Sequence, residues 1–181
     1  RDILNSKMEN KKNVKDNLVD IISKVGEKIS LRRCAFVGED KSINFSYTHS
    51  ALKKNVGKLG VLLSLITTKS KKEILDLGKQ LTMQIAASSP LAINKESLDQ
   101  IILKKEKEII TEELKNSGKD NKIIEKITIG RLNKFITENT LLDQEWIMDP
   151  KKKVKDVIKE VAGKDKIEIK QFVRFRVGEG L

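Results

Sequence analysis

The chain is poor in the side chains that most chemistry needs. Its 181 residues hold one cysteine, Cys34, so no internal disulfide can form, and that usage fits a reducing interior. One histidine, His49, cannot supply the several ligands of a zinc site. Aromatics are 4% of the chain, with a single Tyr47 and a single Trp146, so the core must be aliphatic. No stretch approaches the roughly twenty apolar residues that span a bilayer. No phosphate-cradling glycine loop of P-loop or dinucleotide type is present. No strained strand–turn–helix elbow surrounds Ser46 or Ser50, which argues against a hydrolase. The acidic residues sit among lysines on helical faces, where solvation is the default, and no pair stands out for acid–base work. Catalytic, metal and cofactor residues are therefore expected to be none, and the chain reads as a protein that works by contact.

What is abundant is charge. Charged residues make up 35%, and the balance is +11 with a pI of about 9.6. Such a balance favours acidic partners. The lysines are dispersed, however, with Lys151-Lys152-Lys153 the longest run, and no basic segment is interleaved with aromatics that could stack on bases. Specific nucleic-acid binding and membrane binding are accordingly not expected. No signal peptide is visible, and the chain opens at Arg1 without an initiator methionine, as a piece of something longer would.

The pattern along the chain predicts a mixture of helices and strands without regular alternation, hence an α+β fold. A helix is expected over Lys11–Val25, with Val14, Leu18, Ile21, Ile22 and Val25 as its apolar stripe, stopped by Gly26. Ile29–Val37 reads as a strand, Ile43–Tyr47 as a second, Ser50–Gly57 as a loop and Gly60–Thr67 as a central strand. Ser70-Lys71-Lys72-Glu73 has the spacing of a capping box. It opens a helix carrying Ile74, Leu77, Leu81 and Ile85, which ends before Pro90. Leu98, Ile101, Ile102, Ile109 and Leu114 mark a charged helix, and Ile123, Ile124, Ile127, Leu132 and Phe135 a second. The polar break Asn116–Asn121 folds the two into a projecting antiparallel hairpin. Asp149-Pro150 reads as a helix start, with Val154, Val157, Ile158 and Val161 on the buried side. In the last strand, Ile167, Ile169, Val173, Phe175 and Val177 share one face by alternation, and Glu168, Lys170, Arg174 and Arg176 the other. The Ile43, Gly60 and Ile167 strands are expected to form one small three-stranded antiparallel sheet.

Six blocks, in order, carry a resemblance. Gly26–Arg33 resembles GENIxxRR. Tyr47-Thr48-His49 with Leu59–Leu62 resembles YxH…IGVL. Gln84–Pro90 is similar to HVAAxxP. Gly130–Phe135 with Leu141–Gln144 resembles GRxxKF…LLxQ. Asp149-Pro150 through Val154 and the closing Phe172–Gly180, similar to FVRFEVGEG, complete the series. Together they resemble the core of bacterial elongation factor Ts. That resemblance implies a guanine-nucleotide exchange factor and no enzyme. Its partner would be elongation factor Tu, GDP-bound or nucleotide-free, with a dimer of the heterodimer as a further option. It implies no cofactor, and a bacterial cytoplasm or a bacterial-type organelle. It also implies a division into residues 1–40 as a remnant of a first subdomain, 41–97 with 141–181 as a second, and 98–140 as an inserted coiled-coil hairpin. Tyr47 and His49 would face the partner, unless His49 only caps a loop. Arg32 and Arg33 fit an interface or carboxylate pairs inside the core equally well. Gly130, Arg131, Lys134 and Phe135 would anchor the hairpin base.

The chain departs from the family pattern in places. A TDFV motif is absent and is expected upstream, so the chain as given would associate with its partner but accelerate release poorly. Arg176 stands where glutamate is usual, Lys58 where arginine is usual, and Ser50–Val56 where the family has a glycine-rich loop. The charge keeps open a basic RNA- or ribosome-binding module. The hairpin keeps open a structural adaptor that docks through its coiled coil.

Overall fold

The computed structural model describes residues 3–115 and 120–180 and divides into two units, one running to Phe36 and the other beginning at Val37. In the first, helix α1 (Val14–Val25) starts where the Asn13 side chain accepts from the Asp16 N–H. It ends at Gly26, whose φ of 75° lies in the left-handed region that glycine tolerates. None of its apolar stripe is buried, and Ile21 and Val25 are exposed. The strand expected at Ile29–Val37 does not form; the backbone there is irregular. A strand needs a neighbour for its N–H and C=O groups, and alternation alone does not supply one. Arg32 and Arg33 lie exposed on this irregular stretch.

The second unit is built on a three-stranded antiparallel sheet, in the order β1 (Ile43–Lys53), β2 (Val56–Thr67) and β5 (Ile167–Arg176). β1 is longer than its apolar residues suggested. The stretch expected as a loop over Ser50–Gly57 is the far end of a hairpin, turned at Lys54-Asn55 with Asn55 at a φ of 62°. One face of the sheet is covered by α2 (Leu75–Ser88) and α5 (Val154–Ala162). Beneath them Val61, Leu63 and Leu65 are at most 1% exposed, and Ile74, Leu77, Leu81 and Ile85 from the α2 segment are buried with them. Helix α2 lies so close that a Cβ on Gly78 would stand 2.4 Å from the Phe45 ring. Only half of the expected capping box forms at its start. Glu73 accepts the Ser70 N–H, but the Ser70 hydroxyl donates to that same carboxylate, and the α-helix begins only at Leu75.

Two further expectations fail locally. Asp149-Pro150 does not start a helix. It begins strand β4 (Asp149–Lys153), which pairs with β3 (Glu145–Trp146), and α5 starts at Val154. Proline is tolerated on such an edge strand because it forfeits only a donor that would face away from the ladder. In β5, Ser64 pairs with Gln171 and Leu65 with Ile169, so Lys170 is an extra residue. This bulge inverts the parity expected from alternation. Phe172, Arg174 and Arg176 join Ile167 and Ile169 on the helix-covered side, and Val173 and Phe175 turn to the other.

Helices α3 (Gln100–Lys115) and α4 (Asn121–Asn139) form the hairpin; part of the break expected at Asn116–Asn121, residues 116–119, lies outside the described residues. Its buried side differs from the expected stripe. Ile110 and Leu114 are buried, whereas Ile101, Ile109 and Ile123 are exposed. At Gly130 a Cβ would meet nothing within 4 Å, so no close approach requires glycine there. Arg131 instead spans the helices to Glu113 at 2.8 Å, and Phe135 packs at the base on Ala92, Leu98 and Ile136. The chain leaves and re-enters the body side by side, bridging Ala92 to Thr140. The Leu141 N–H reaches the Ala92 carbonyl at 2.9 Å, and the Leu142 N–H reaches that of Ile93 at 3.0 Å.

A buried amide pair fixes this base to α2. Gln84 is fully buried; its Nε2 donates to the Glu145 carbonyl (3.1 Å) and to Gln144 Oε1 (3.3 Å), and its Oε1 accepts from the Ile147 N–H (2.9 Å). Gln144 Nε2 donates to the Glu138 carbonyl in the last turn of α4 (2.8 Å), and Ser88 donates to Gln144 Oε1 (2.6 Å). Just before it, Asp143 accepts from the Lys155 ammonium at 2.8 Å, and that bond holds its carboxyl below the usual carboxylate range.

Three outcomes are expected. Gly78→Ala should lower stability by about 1–3 kcal/mol through overpacking on Phe45, while Gly130→Ala should raise it by up to about 1 kcal/mol; urea midpoints of both variants decide. Gln84→Ala and Gln144→Ala should each cost about 2 kcal/mol, because each strands buried partners. In a double-mutant cycle they should fall well short of additivity. The Asp143 carboxyl is depressed by folding, so its stabilisation is complete above the unfolded value of about 4 and is lost as pH falls through the lower folded value. Asp143→Asn should therefore flatten the acid limb of the stability profile.

Candidate partner-binding site

The register places Tyr47 and His49 on the helix-covered face of β1, opposite Val61 and Leu59. Phe45, two residues earlier, is buried against α2. Toward the end of the strand that cover runs out. Tyr47 is half-buried against the core and His49 is exposed. Residues two apart on a strand share a face, and here they touch. The Tyr47 hydroxyl and His49 Nδ1 lie 3.0 Å apart, with the ring centroids 6.1 Å apart. The pair presents a ring edge, a hydroxyl and the remaining imidazole nitrogen at the rim of a rigid sheet.

The same rim carries residues that alternation had assigned to the wet side. Arg174 stands across β2 from Tyr47, and Arg176 across from His49, both through the β5 register. The Arg174 side chain is 12% exposed. Its Nε donates to the Ala86 carbonyl (3.3 Å), one of the acceptors left open at the end of α2, and its Nη1 meets Glu179 at 2.7 Å. A cation at a helix C-terminus is favourable, and here it ties the closing Gly178–Gly180 turn to the body. The signal that could have revealed this was the adjacent polar pair Lys170-Gln171, which interrupts an otherwise strict alternation.

Of the residues singled out, Tyr47 and His49 are thus brought together, while Arg32 and Arg33 lie in the other unit. Among the described residues no three His, Cys, Asp or Glu side chains converge as a metal site would need, and no helix is long and apolar enough to cross a membrane. The sequence around the pair is cationic, with no carboxylate between Asp40 and Glu73, and the Glu179 carboxylate near this rim is engaged by Arg174. An aromatic–imidazole pair flanked by cations can grip a protein surface by packing and hydrogen bonding.

Comparison with known proteins agrees on one family. The family described as Elongation factor TS matches residues 1–179. Among similar proteins, elongation factor Ts of Nitrobacter hamburgensis is 37% identical over 93% of this chain and 55% of its own length. That of Gluconobacter oxydans is 35% identical over 97% of the chain and 57% of its own length. That of Rickettsia akari is 36% identical over 97% and 58%. The chain thus spans somewhat more than half the length of these relatives. Matched nearly end to end by one family, and at this identity to proteins of that name, the chain belongs to the elongation factor Ts family.

Proposed function

We propose that the chain is part of a guanine-nucleotide exchange factor that binds elongation factor Tu and promotes release of GDP during translation elongation, without bond chemistry of its own. The carrying observation is the Tyr47–His49 pair, held at an uncovered sheet rim in a chain of this family. In this reading residues 41–97 and 141–181 form one subdomain around the sheet, 98–140 are an insertion, and 1–40 belong to a neighbouring subdomain whose Arg32 and Arg33 add contacts. The setting is a bacterial cytoplasm or a bacterial-type organelle.

An exchange factor works by differential binding. It holds the nucleotide-free partner more tightly than the GDP-bound one, and linkage then requires it to weaken GDP by the same factor. Moving an equilibrium from 1:99 to 99:1 takes about 5.5 kcal/mol of such difference. That is within reach of a few well-placed side chains on a rigid support. A rigid rim suits the task, because a compliant one would relax toward both states of the partner alike.

His49→Ala should weaken binding to nucleotide-free elongation factor Tu about tenfold, with little change in folding stability because the residue is exposed. Tyr47→Phe keeps the ring and should have a smaller effect. Calorimetric titration and release of labelled GDP test both. Unchanged affinity and unchanged release in His49→Ala would remove the site from the interface.

A further inference from the structure

The sheet is three-stranded only as far as the Leu59–Arg176 pair. Beyond it β5 stops, and β1 and β2 run on alone through Ala51–Gly57 and Lys53–Val56. This two-stranded arm begins directly after His49. Residues 50–56 are all exposed, with Leu52 at 77% and Val56 at 53%. Its shape is defined by the backbone. Ser50 and Asn55 adopt positive φ, and the pairing shifts between Ala51 and Lys53. At its root a Cβ on Gly57 would stand 2.7 Å from the His49 carbonyl, so only glycine lets the arm fold down onto the strand that carries His49. The tip is cationic, with Lys53 and Lys54 on the arm and Lys58 and Arg176 at its root. No carboxylate occurs anywhere from Lys41 to Lys72.

Leu52 stands exposed beside Lys53 and Lys54 on a ribbon too narrow to have a core of its own, next to the exposed His49. We infer that this arm is a second contact for the same partner. Leu52 would seat in an apolar depression of elongation factor Tu, ringed by carboxylates that Lys53 and Lys54 neutralise. This rests on the function proposed above and extends the contact outward from His49. Charge complementarity selects an acidic face. The chemistry of the tip selects protein over RNA, because the arm has neither an aromatic ring to stack on a base nor an arginine to fork a phosphate. The lysines would act chiefly on encounter and Leu52 on residence, as rim charges and anchors do.

The experiment is stopped-flow binding of the full chain to nucleotide-free elongation factor Tu at low and high salt. It compares the parent, Lys53→Glu/Lys54→Glu, Leu52→Ser and His49→Ala. Lys53→Glu/Lys54→Glu should slow association about tenfold at low salt, and the gap should close at high salt. Leu52→Ser should speed dissociation about fivefold with association unchanged. Both should keep the parent's urea midpoint, since the arm lies outside the core. If the arm variants bind as the parent does while His49→Ala is weakened, the arm is no contact and the proposed function stands. If the parent itself forms no complex, the proposed function fails, and with it this inference. A gel-shift with ribosomal RNA completes the set: charge reversal that abolishes RNA binding but leaves partner binding intact would overturn the assignment to protein.

Discussion

The burial of the middle of β2 beneath α2 is the constraint on which the second unit depends. Val61, Leu63 and Leu65 share one face of the strand, and each is at most 1% exposed; Ser64, on the opposite face, is buried as well. With so few aromatics, close approach takes the place of bulk. Gly78 lets the helix backbone come down onto the Phe45 ring, and the aliphatic residues of α2 and α5 fill the space on either side. Once that contact is made, the register of β1 follows, because a slip of one residue would turn Ile43, Phe45 and Tyr47 away from the helices.

The rim that carries Tyr47 and His49 is the consequence of where that cover ends. Helix α2 stops at Ser88, and its open Ala86 carbonyl is taken by Arg174 from the opposite edge of the sheet. The body is therefore closed at the point where the sheet face becomes exposed. Tyr47 straddles the boundary, with its ring against the core and its hydroxyl on His49, so the histidine is oriented by a side chain that is itself held in place.

In the body of the second unit much was legible in the sequence where a period was sustained, whereas the equally periodic stripes of α1 and of the hairpin are not buried as their spacing suggested. The α2 stripe of Ile74, Leu77, Leu81 and Ile85, the central strand, and the α5 stripe of Val154, Val157 and Ile158 all face the core as their spacing requires. Failures came where one residue changes the phase or where a partner decides the outcome. Lys170 inverts β5 by a single insertion. Ile29–Val37 alternates correctly yet has no ladder to join. Asp149-Pro150 suits a helix start and an edge strand equally, and Trp146 opposite Asp149 decides it. Ser50–Gly57 looked like a loop because its polar residues face water on both sides, as they must in a ribbon that packs on nothing. Tyr47 and His49 could be marked from the sequence, but their mutual contact and their neighbours Arg174 and Arg176 needed the register.

The clasp between Ala92 and Thr140 bears on how this molecule could change over time. Two strands of chain that depart and return side by side make a doorway of fixed width, so the far turns hung beyond it leave the frame undisturbed. Lineages could lengthen, trim or replace the coiled coil by whole turns while the sheet beneath kept its registration. Only the base of the appendage, where Gln144 holds the Glu138 carbonyl and Phe135 packs on Ala92, is answerable to the body's packing.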